Sequence, residues 1–271
     1  MKTNTIYNEP CLSTMAKMPD GFIDLTVTSP PYDNLRSYNN NINESWGEHA
    51  WKPVLKELYR VTKDGGVVVW VVGDATINGS ETGTSFKQAL YAKECGFNLH
   101  DTMIYSNNKP PLTHNRYEQA FEYMFVFSKG KPHSFNPITK ANRSAGTRRS
   151  GNRKCASAKD SSAMRSGNDF FVKKRSIISN IWCYNAGGQD RTKDKIAFNH
   201  PAIFPEKLAY SHIISWSNEG DLVYDPFMGS GTTAKMAIKA KRNYIGSEIS
   251  KEYVDIATKR INDFKSQLRL F

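Results

Sequence analysis

Hydrophobic positions along this 271-residue chain fall into short runs and helical stripes, separated by breaks rich in Gly, Pro and Asn. Residues 21–28 form a β-rich run that ends at Ser29-Pro30-Pro31. Within 46–61 the apolar residues Val54, Leu55, Leu58 and Val61 recur at helical spacing. Gly65-Gly66 then opens Val67-Val68-Val69-Trp70-Val71-Val72, a run apolar enough to be buried on both faces of a sheet. The spacing predicts a helix over 85–95 and strands over 99–105 and 123–127. After a long polar stretch it predicts a helix over 205–216, a strand over 222–224, a helix over 232–241 and a strand over 244–248 that ends in an acid. Residues 250–268 close the chain as an amphipathic helix, with Tyr253, Ile256, Ala257, Ile261 and Phe264 on one face. The alternation reads as one sizeable α/β domain with an insertion, or two small domains, and contains no internal repeat.

Charge changes this picture in one place. The chain carries a net charge of +11, and residues 129–175 hold thirteen Lys or Arg against only Asp160 and Asp169, the same surplus as the whole protein. This stretch is rich in Ser, Asn and Gly and lacks helical or strand periodicity, so it reads as a long basic loop. A polyanion is the partner that such a cluster suits, through salt-sensitive phosphate neutralisation; the alternative is a solvated insertion that touches nothing. No apolar stretch nears the roughly 18 residues that span a bilayer, and the first residues have no apolar core of a secretion signal. A soluble protein of the cytosol, with no membrane partner, is the expectation. Cys11, Cys95, Cys155 and Cys183 form no Cys-x-x-Cys and have no histidine at ligand spacing, which argues against a zinc site, and none has the His-paired setting of a catalytic thiol.

Two strings carry candidate chemistry. In the second half, Asp225 ends a predicted strand, Gly229-Ser230-Gly231 permits a tight turn, and Thr232-Thr233 begins a helix whose free N–H groups suit an anionic group. Glu248 ends the next strand, where an acid commonly accepts hydrogen bonds from ribose hydroxyls. These features describe a pocket for an adenosyl ligand, and the spacing alone also admits a nicotinamide or another nucleotide. In the first half, Thr28-Ser29-Pro30-Pro31-Tyr32 stands at a strand's carboxyl end, where open α/β sheets bind ligands.

Thr28-Ser29-Pro30-Pro31-Tyr32 resembles the catalytic loop of enzymes that methylate exocyclic amines, and Asp225-Pro226-Phe227-Met228-Gly229-Ser230-Gly231-Thr232-Thr233 resembles their S-adenosylmethionine loop. With the catalytic string first, the order resembles the circularly permuted arrangement of beta-group amino-DNA methyltransferases. The resemblance implies a seven-stranded, mostly parallel, Rossmann-like methyltransferase sheet with an inserted basic target-recognition region. It implies a catalytic half over 1–106, the last sheet strand with the basic insertion over 107–191, and a cofactor half over 192–271. Tyr7-Asn8-Glu9-Pro10-Cys11 resembles the segment that lines the cofactor's adenine; Pro10 replaces the usual Asp, so that Glu9 or a backbone carbonyl must accept from the adenine amine. His200-Pro201-Ala202 resembles the His-Pro-Thr segment beside the methionine moiety, with Ala202 for Thr.

The implied catalytic residues are Ser29, Pro30, Pro31 and Tyr32. Ser29 Oγ and the Pro30 carbonyl each accept one amino hydrogen, which localises the nitrogen lone pair, and Tyr32 offers a face for a flipped base. The implied cofactor residues are Cys11, Thr28, His200, Pro201, Asp225, Pro226, Phe227, Gly229, Ser230, Gly231, Thr232, Thr233 and Glu248. Double-stranded DNA is the implied substrate, contacted by Arg143, Arg148, Arg149, Arg153, Lys154, Arg165, Lys173, Lys174 and Arg175. Serine at the first catalytic position points to cytosine N4, with adenine N6 as the alternative and a DNA-binding module with a vestigial site as a third reading. Homodimerisation, pairing with a restriction endonuclease, and a prokaryotic or phage setting are further implications of the resemblance.

Overall fold

A computed structural model of the chain describes residues 1–31, 46–107, 117, 119–150, 153–154, 164–165, 167–184 and 191–268, with backbone alone for 153–154 and 164–165. The described chain divides into two compact units, Met1–Asn136 with Asn180–Phe271, and Pro137–Ser179.

The first unit is built on one eight-stranded sheet. Its strands are β1 (Thr5–Tyr7), β2 (Ile23–Thr28), β3 (Thr62–Val72), β4 (Asn98–Ser106), β5 (Phe121–Ser128), β6 (Ile181–Cys183), β7 (Leu222–Asp225) and β8 (Asn243–Ser247). In space they run β1-β8-β7-β2-β3-β5-β4-β6. All neighbours are parallel except β5, which is antiparallel to both β3 and β4. The sheet has one strand more than the seven expected, and β1 and β6 are the edge strands that the hydrophobic pattern did not show. Each is three residues long, too short for any periodicity to register.

The helices follow from the apolar stripes: α1 (Cys11–Met15), α2 (Glu48–Val61), α3 (Thr84–Glu94), α4 (Glu206–Trp216), α5 (Thr232–Lys239) and α6 (Lys251–Leu268). On α2 the stripe Trp51, Val54, Leu55, Leu58 and Val61 is buried in one cluster with Val68, Trp70 and Val72 of β3. Full burial of each such side chain stabilises by at most about 1.5–3 kcal/mol. The helix stops where Thr62 turns to extended backbone, and the Leu58 carbonyl accepts from both the Thr62 N–H and the Thr62 hydroxyl, the latter at 2.6 Å.

The pair β2–β7 carries only two registered partners, Val223 with Leu25 and Tyr224 with Thr26. Side chains pin it at both ends. At the amino end Asp24 accepts from the Leu222 N–H at 2.9 Å, and at the carboxyl end Thr28 donates to Asp225 at 2.7 Å.

The second unit corrects the expectation of a long loop. Antiparallel pairs join Thr139–Ala141 to Arg175–Ile177, Arg148–Arg149 to Phe170–Phe171, and Arg153–Lys154 to Met164–Arg165. Between the first two pairs, Asn142 N–H donates to the Lys174 carbonyl, Gly146 N–H to Val172, and Val172 N–H to Thr147, while residues 143–146 turn out of the ladder. The unit is therefore one interrupted two-stranded ribbon. It escaped the sequence pattern because alternation marks a strand with one buried face, and the strand residues of this ribbon with described side chains are exposed or half-buried.

Candidate active site and cofactor pocket

The carboxyl ends of β2, β7 and β8 bring the two motifs together. Thr28, the last residue of β2, and Asp225, the last of β7, are both buried, and their 2.7 Å hydrogen bond joins positions 197 residues apart in the chain. Asp225 Oδ1 also accepts from the Phe227 N–H at 3.0 Å. Burial pushes the Asp225 carboxyl above its ordinary value, and hydrogen bonding from Thr28, Thr233 and the Phe227 N–H works against that shift. Ser29, Pro30 and Pro31 follow Thr28 directly, with Pro30 buried. Tyr32 lies outside the described residues.

Glu248 follows β8. Its carboxylate accepts from the Gly229 N–H at 2.8 Å and the Ser250 N–H at 2.9 Å. Burial raises its pKa also, and the nearby Asp225 charge adds to the rise. No described cation forms an ion pair with Asp225 or Glu248. Cys11 starts α1 close to both acids; burial first, and then their charges, push its thiol up to about 12, which leaves it inert. Glu9 is taken up by Thr14, at 3.0 Å, and by an ion pair with Lys17 that lowers its pKa.

The glycines of the turn serve the protein's own packing as well as any ligand. Gly231 has φ +83°, and a Cβ there would stand 2.8 Å from Ala257 Cβ of α6. At Gly229, φ +50°, a Cβ would meet His200 Nε2 at 2.9 Å. His200 is thus placed against the turn by its own segment: Ala202 N–H donates to His200 Nδ1 at 3.1 Å, and the ring packs edge-on to Tyr253 at 4.3 Å. Phe227 packs edge-on against Trp46 and Trp70, with centroids 5.3 and 6.2 Å away.

Behind the turn sits a group that the sequence pattern did not reveal. Arg260 of α6 is 2% exposed and donates through Nη1 to the Ser230 carbonyl at 3.0 Å and Thr232 Oγ1 at 2.9 Å. Its Nε reaches Asp194 at 2.6 Å and its Nη2 reaches Glu206 at 2.6 Å. Lys235 of α5 bonds the same two acids at 2.7 and 2.8 Å. Burial raises both carboxyls, but the bonds from Lys235 and Arg260 outweigh it and hold both below the ordinary range. The helical stripe of α6 hid this residue, because Arg260 lies beside Ala257 and Ile261 on the buried face.

One cluster with metal-ligand character occurs among the described residues: Asp24, His133 and Asp221, whose ligand atoms lie within 4.8 Å of one another. Asp24 already bonds Lys63 and the Leu222 N–H, and Asp221 accepts from the Asn218 N–H, so these acids serve the strand junction.

A model of the N6/N4 DNA methylase family matches residues 23–259. The chain belongs to this family of DNA methylases. It is 54% identical to orphan methyltransferase M.BamHII of Bacillus amyloliquefaciens over 246 residues, 90% of this chain and 91% of that protein. It is 26% identical to type II methyltransferase M.BglII of Bacillus subtilis over 94% of this chain and 68% of that one. Among solved structures, the cytosine-N4-specific PvuII DNA methyltransferase superposes with a TM-score of 0.69 at 20% identity, covering 98% of this chain and 93% of that one. A complex of M1.HpyAVI with S-adenosylmethionine superposes with a TM-score of 0.57 at 22% identity, covering 94% and 98%. These two likenesses concern the fold.

The methylase brings most of its expected site residues to one edge of the sheet. Thr28, Ser29, Pro30 and Pro31 follow or end β2, Asp225, Pro226 and Phe227 end or follow β7, Gly229, Ser230 and Gly231 form the turn, Thr232 and Thr233 open α5, and Glu248 follows β8. Cys11 and His200 adjoin them through Asp225 and Gly229, and Pro201 follows His200. Of the expected DNA contacts, Arg143, Arg148, Arg149, Lys173, Lys174 and Arg175 are exposed on the ribbon. Arg175 also bonds the Thr139 hydroxyl and carbonyl, and Arg148 pairs with Asp169 at 3.0 Å. Arg153, Lys154 and Arg165 lie on ribbon strands, and their side chains are outside the described set.

Proposed function

We propose that this DNA methylase methylates N4 of cytosine in a flipped-out base, with Ser29 and Pro30 at the reacting amine. The observation that carries the reading is the Thr28–Asp225 hydrogen bond, which sets the catalytic string one residue from the wall of the cofactor pocket. S-adenosylmethionine supplies an electrophilic methyl group when bound. Its ammonium and ribose hydroxyls suit buried Asp225 and half-buried Glu248, which have no described cationic partner and would otherwise remain costly to ionise. Phe227, Cys11, His200 with Pro201, and the turn 229–231 with Thr232 and Thr233 complete the pocket.

The amine of cytosine is a poor nucleophile because its lone pair is delocalised into the ring. Ser29 Oγ accepts one amino hydrogen and the Pro30 carbonyl the other, which favours a pyramidal nitrogen with its lone pair directed at the methyl donor. Pro30 and Pro31 fix φ, so the carbonyl is held without a hinge. Tyr32 supplies a stacking face for the extruded base. The ribbon's basic residues hold duplex DNA through its phosphates. Serine rather than Asp at position 29 and the fold shared with a cytosine-N4-specific enzyme support cytosine. The 54% identical relative, named an orphan methyltransferase, supports a methylase without a paired endonuclease.

The test is transfer of tritiated methyl from S-adenosylmethionine to unmethylated genomic DNA, followed by nucleoside chromatography. Label in N4-methylcytosine supports the reading, whereas label in N6-methyladenine moves the substrate to adenine. Absence of label with cofactor bound would leave a DNA-binding module.

A further inference from the structure

A short hairpin with no part in the pocket described above stands on the edge of the sheet that carries the catalytic string. β3 runs parallel to β2 with Trp70 opposite Thr28, so the chain beyond Val72 emerges on the same edge as residues 29–31. There Thr76–Ile77 pairs antiparallel with Ser80–Glu81, Thr76 opposite Glu81 and Ile77 opposite Ser80. Asn78 and Gly79 between them have φ of +50° and +79°, the left-handed pair that a two-residue turn of type I′ requires. Residues 76–81 are all exposed, and Ile77, next to the turn and 57% exposed, is their only apolar side chain. The base of the hairpin is braced. Buried Asp74 accepts from the Ser85 N–H at 2.8 Å, from Ser85 Oγ at 2.5 Å and from Thr82 Oγ1 at 3.4 Å, and the Thr82 N–H donates to the Ala75 carbonyl at 2.9 Å. These bonds tie the hairpin to the first turn of α3, whose Ala89 and Ala92 belong to the core. A lone exposed isoleucine is ordinary on a protein surface. One held beside a braced turn, on the edge where a base must leave its duplex, has the placement of a wedge.

We infer that Ile77 enters the base stack of duplex DNA beside the extruded nucleotide and fills the gap while the methyl group is transferred. This role rests on the flipped-base reading above and adds to it a residue for the vacated space. Extruding a base costs stacking and pairing, and an apolar side chain inserted between base steps recovers part of that cost. Isoleucine suits the task. Its β-branch leaves χ1 few choices, so little rotamer freedom is lost on insertion, and it has no polar atom to strip of water. The one charge of the hairpin, Glu81, stands in the pair farther from the turn, away from the tip. An apolar protein partner fits less well, because such surfaces are contiguous patches and the hairpin offers a single apolar side chain.

Rescue by the substrate separates flipping from chemistry. The probe is a duplex holding the modified site, mapped by sequencing DNA treated with the wild-type protein, in two forms: fully paired, and with an abasic position opposite the target base. Ile77→Ala is expected to slow single-turnover transfer to the paired duplex by about tenfold or more, the share of the extrusion cost that a wedge offsets. On the abasic form, where the target has no partner to leave, the same variant is expected to transfer at nearly the wild-type rate, with S-adenosylmethionine affinity unchanged. Ile77→Leu retains an apolar wedge and is expected to stay close to wild type on both duplexes. The outcome reads the same whether the target is cytosine or adenine. A loss of equal size on both duplexes, or an unchanged rate on the paired one, would overturn the inference while leaving the methylase reading intact. Absence of transfer by the wild-type protein to any DNA would instead remove the reaction, and with it the gap to be filled.

Discussion

At Ser29 a single oxygen separates two outcomes. Ser29→Ala removes one of two proposed acceptors and leaves the Pro30 carbonyl, so kcat is expected to fall by roughly 10²–10³-fold while cofactor affinity holds; single-turnover transfer beside a cofactor titration checks both. Asp225 and Glu248 make a second prediction, through pH. Each carboxyl titrates above its ordinary value, 3.8 for Asp and 4.5 for Glu. In the cofactor-free protein, such groups favour the fold fully below those values, and the contribution is lost as pH rises through the elevated folded pKa. A cationic ligand reverses the preference by favouring the ionised forms. Affinity for S-adenosylmethionine is therefore expected to rise with pH across the window that opens at those ordinary values, with proton release on binding. Calorimetry in two buffers of different ionisation enthalpy measures that release, and proton uptake would contradict the assignment. Both acids were legible in the sequence because each ends an apolar strand run. The placement of Asp225 against Thr28 was not, since residues 197 apart meet only through the sheet.

Among the elements, α6 illustrates why patterning is incomplete. Its apolar stripe predicted a buried face correctly, but a stripe is blind to a charged residue that enters the same face with its partners supplied by distant segments. Arg260→Met leaves Lys235 as the one described cation paired with Asp194 and Glu206 and removes a donor from the Ser230 carbonyl, and is expected to cost about 3–5 kcal/mol of stability and to weaken cofactor binding. Denaturant unfolding and a cofactor titration report the two effects, and Arg260→Lys, which has no planar fork, restores them only in part. On α4, His212 is fully buried, with its ring against Trp182 at 4.6 Å and Nε2 3.1 Å from Met124 Sδ. Burial pushes its pKa down from 6.5 to about 3. The unfolded chain binds this proton more readily, so stability is fully present above 6.5 and is lost as pH falls from 6.5 towards 3. His212→Leu is expected to move the acid-unfolding midpoint to lower pH, as followed by circular dichroism; an unmoved midpoint would count against this account. The short strands β1 and β6 and the ribbon went unread for the opposite reason. They show no periodicity because they are too brief, or because they are exposed on both faces.

For the whole molecule, the two units differ in what they need from the chain. The ribbon leaves and returns at adjacent points, where the Ile178 N–H donates to the Ile138 carbonyl at 3.1 Å. Joining these two residues through a two-residue turn is expected to preserve a cooperative melt and S-adenosylmethionine binding while abolishing DNA methylation; loss of cofactor binding in that variant would show the units to be energetically inseparable. The first unit has no such economy of connection. Among the described residues its edge strand β1 pairs only with β8, and β2 closes against β7, although one member of each pair lies early in the sequence and the other late. During synthesis β1 and β2 therefore wait for β8 and β7, which are made much later. A nascent chain halted before residue 222 has its catalytic string but not Asp225 to set it against, so such a product carries no assembled pocket.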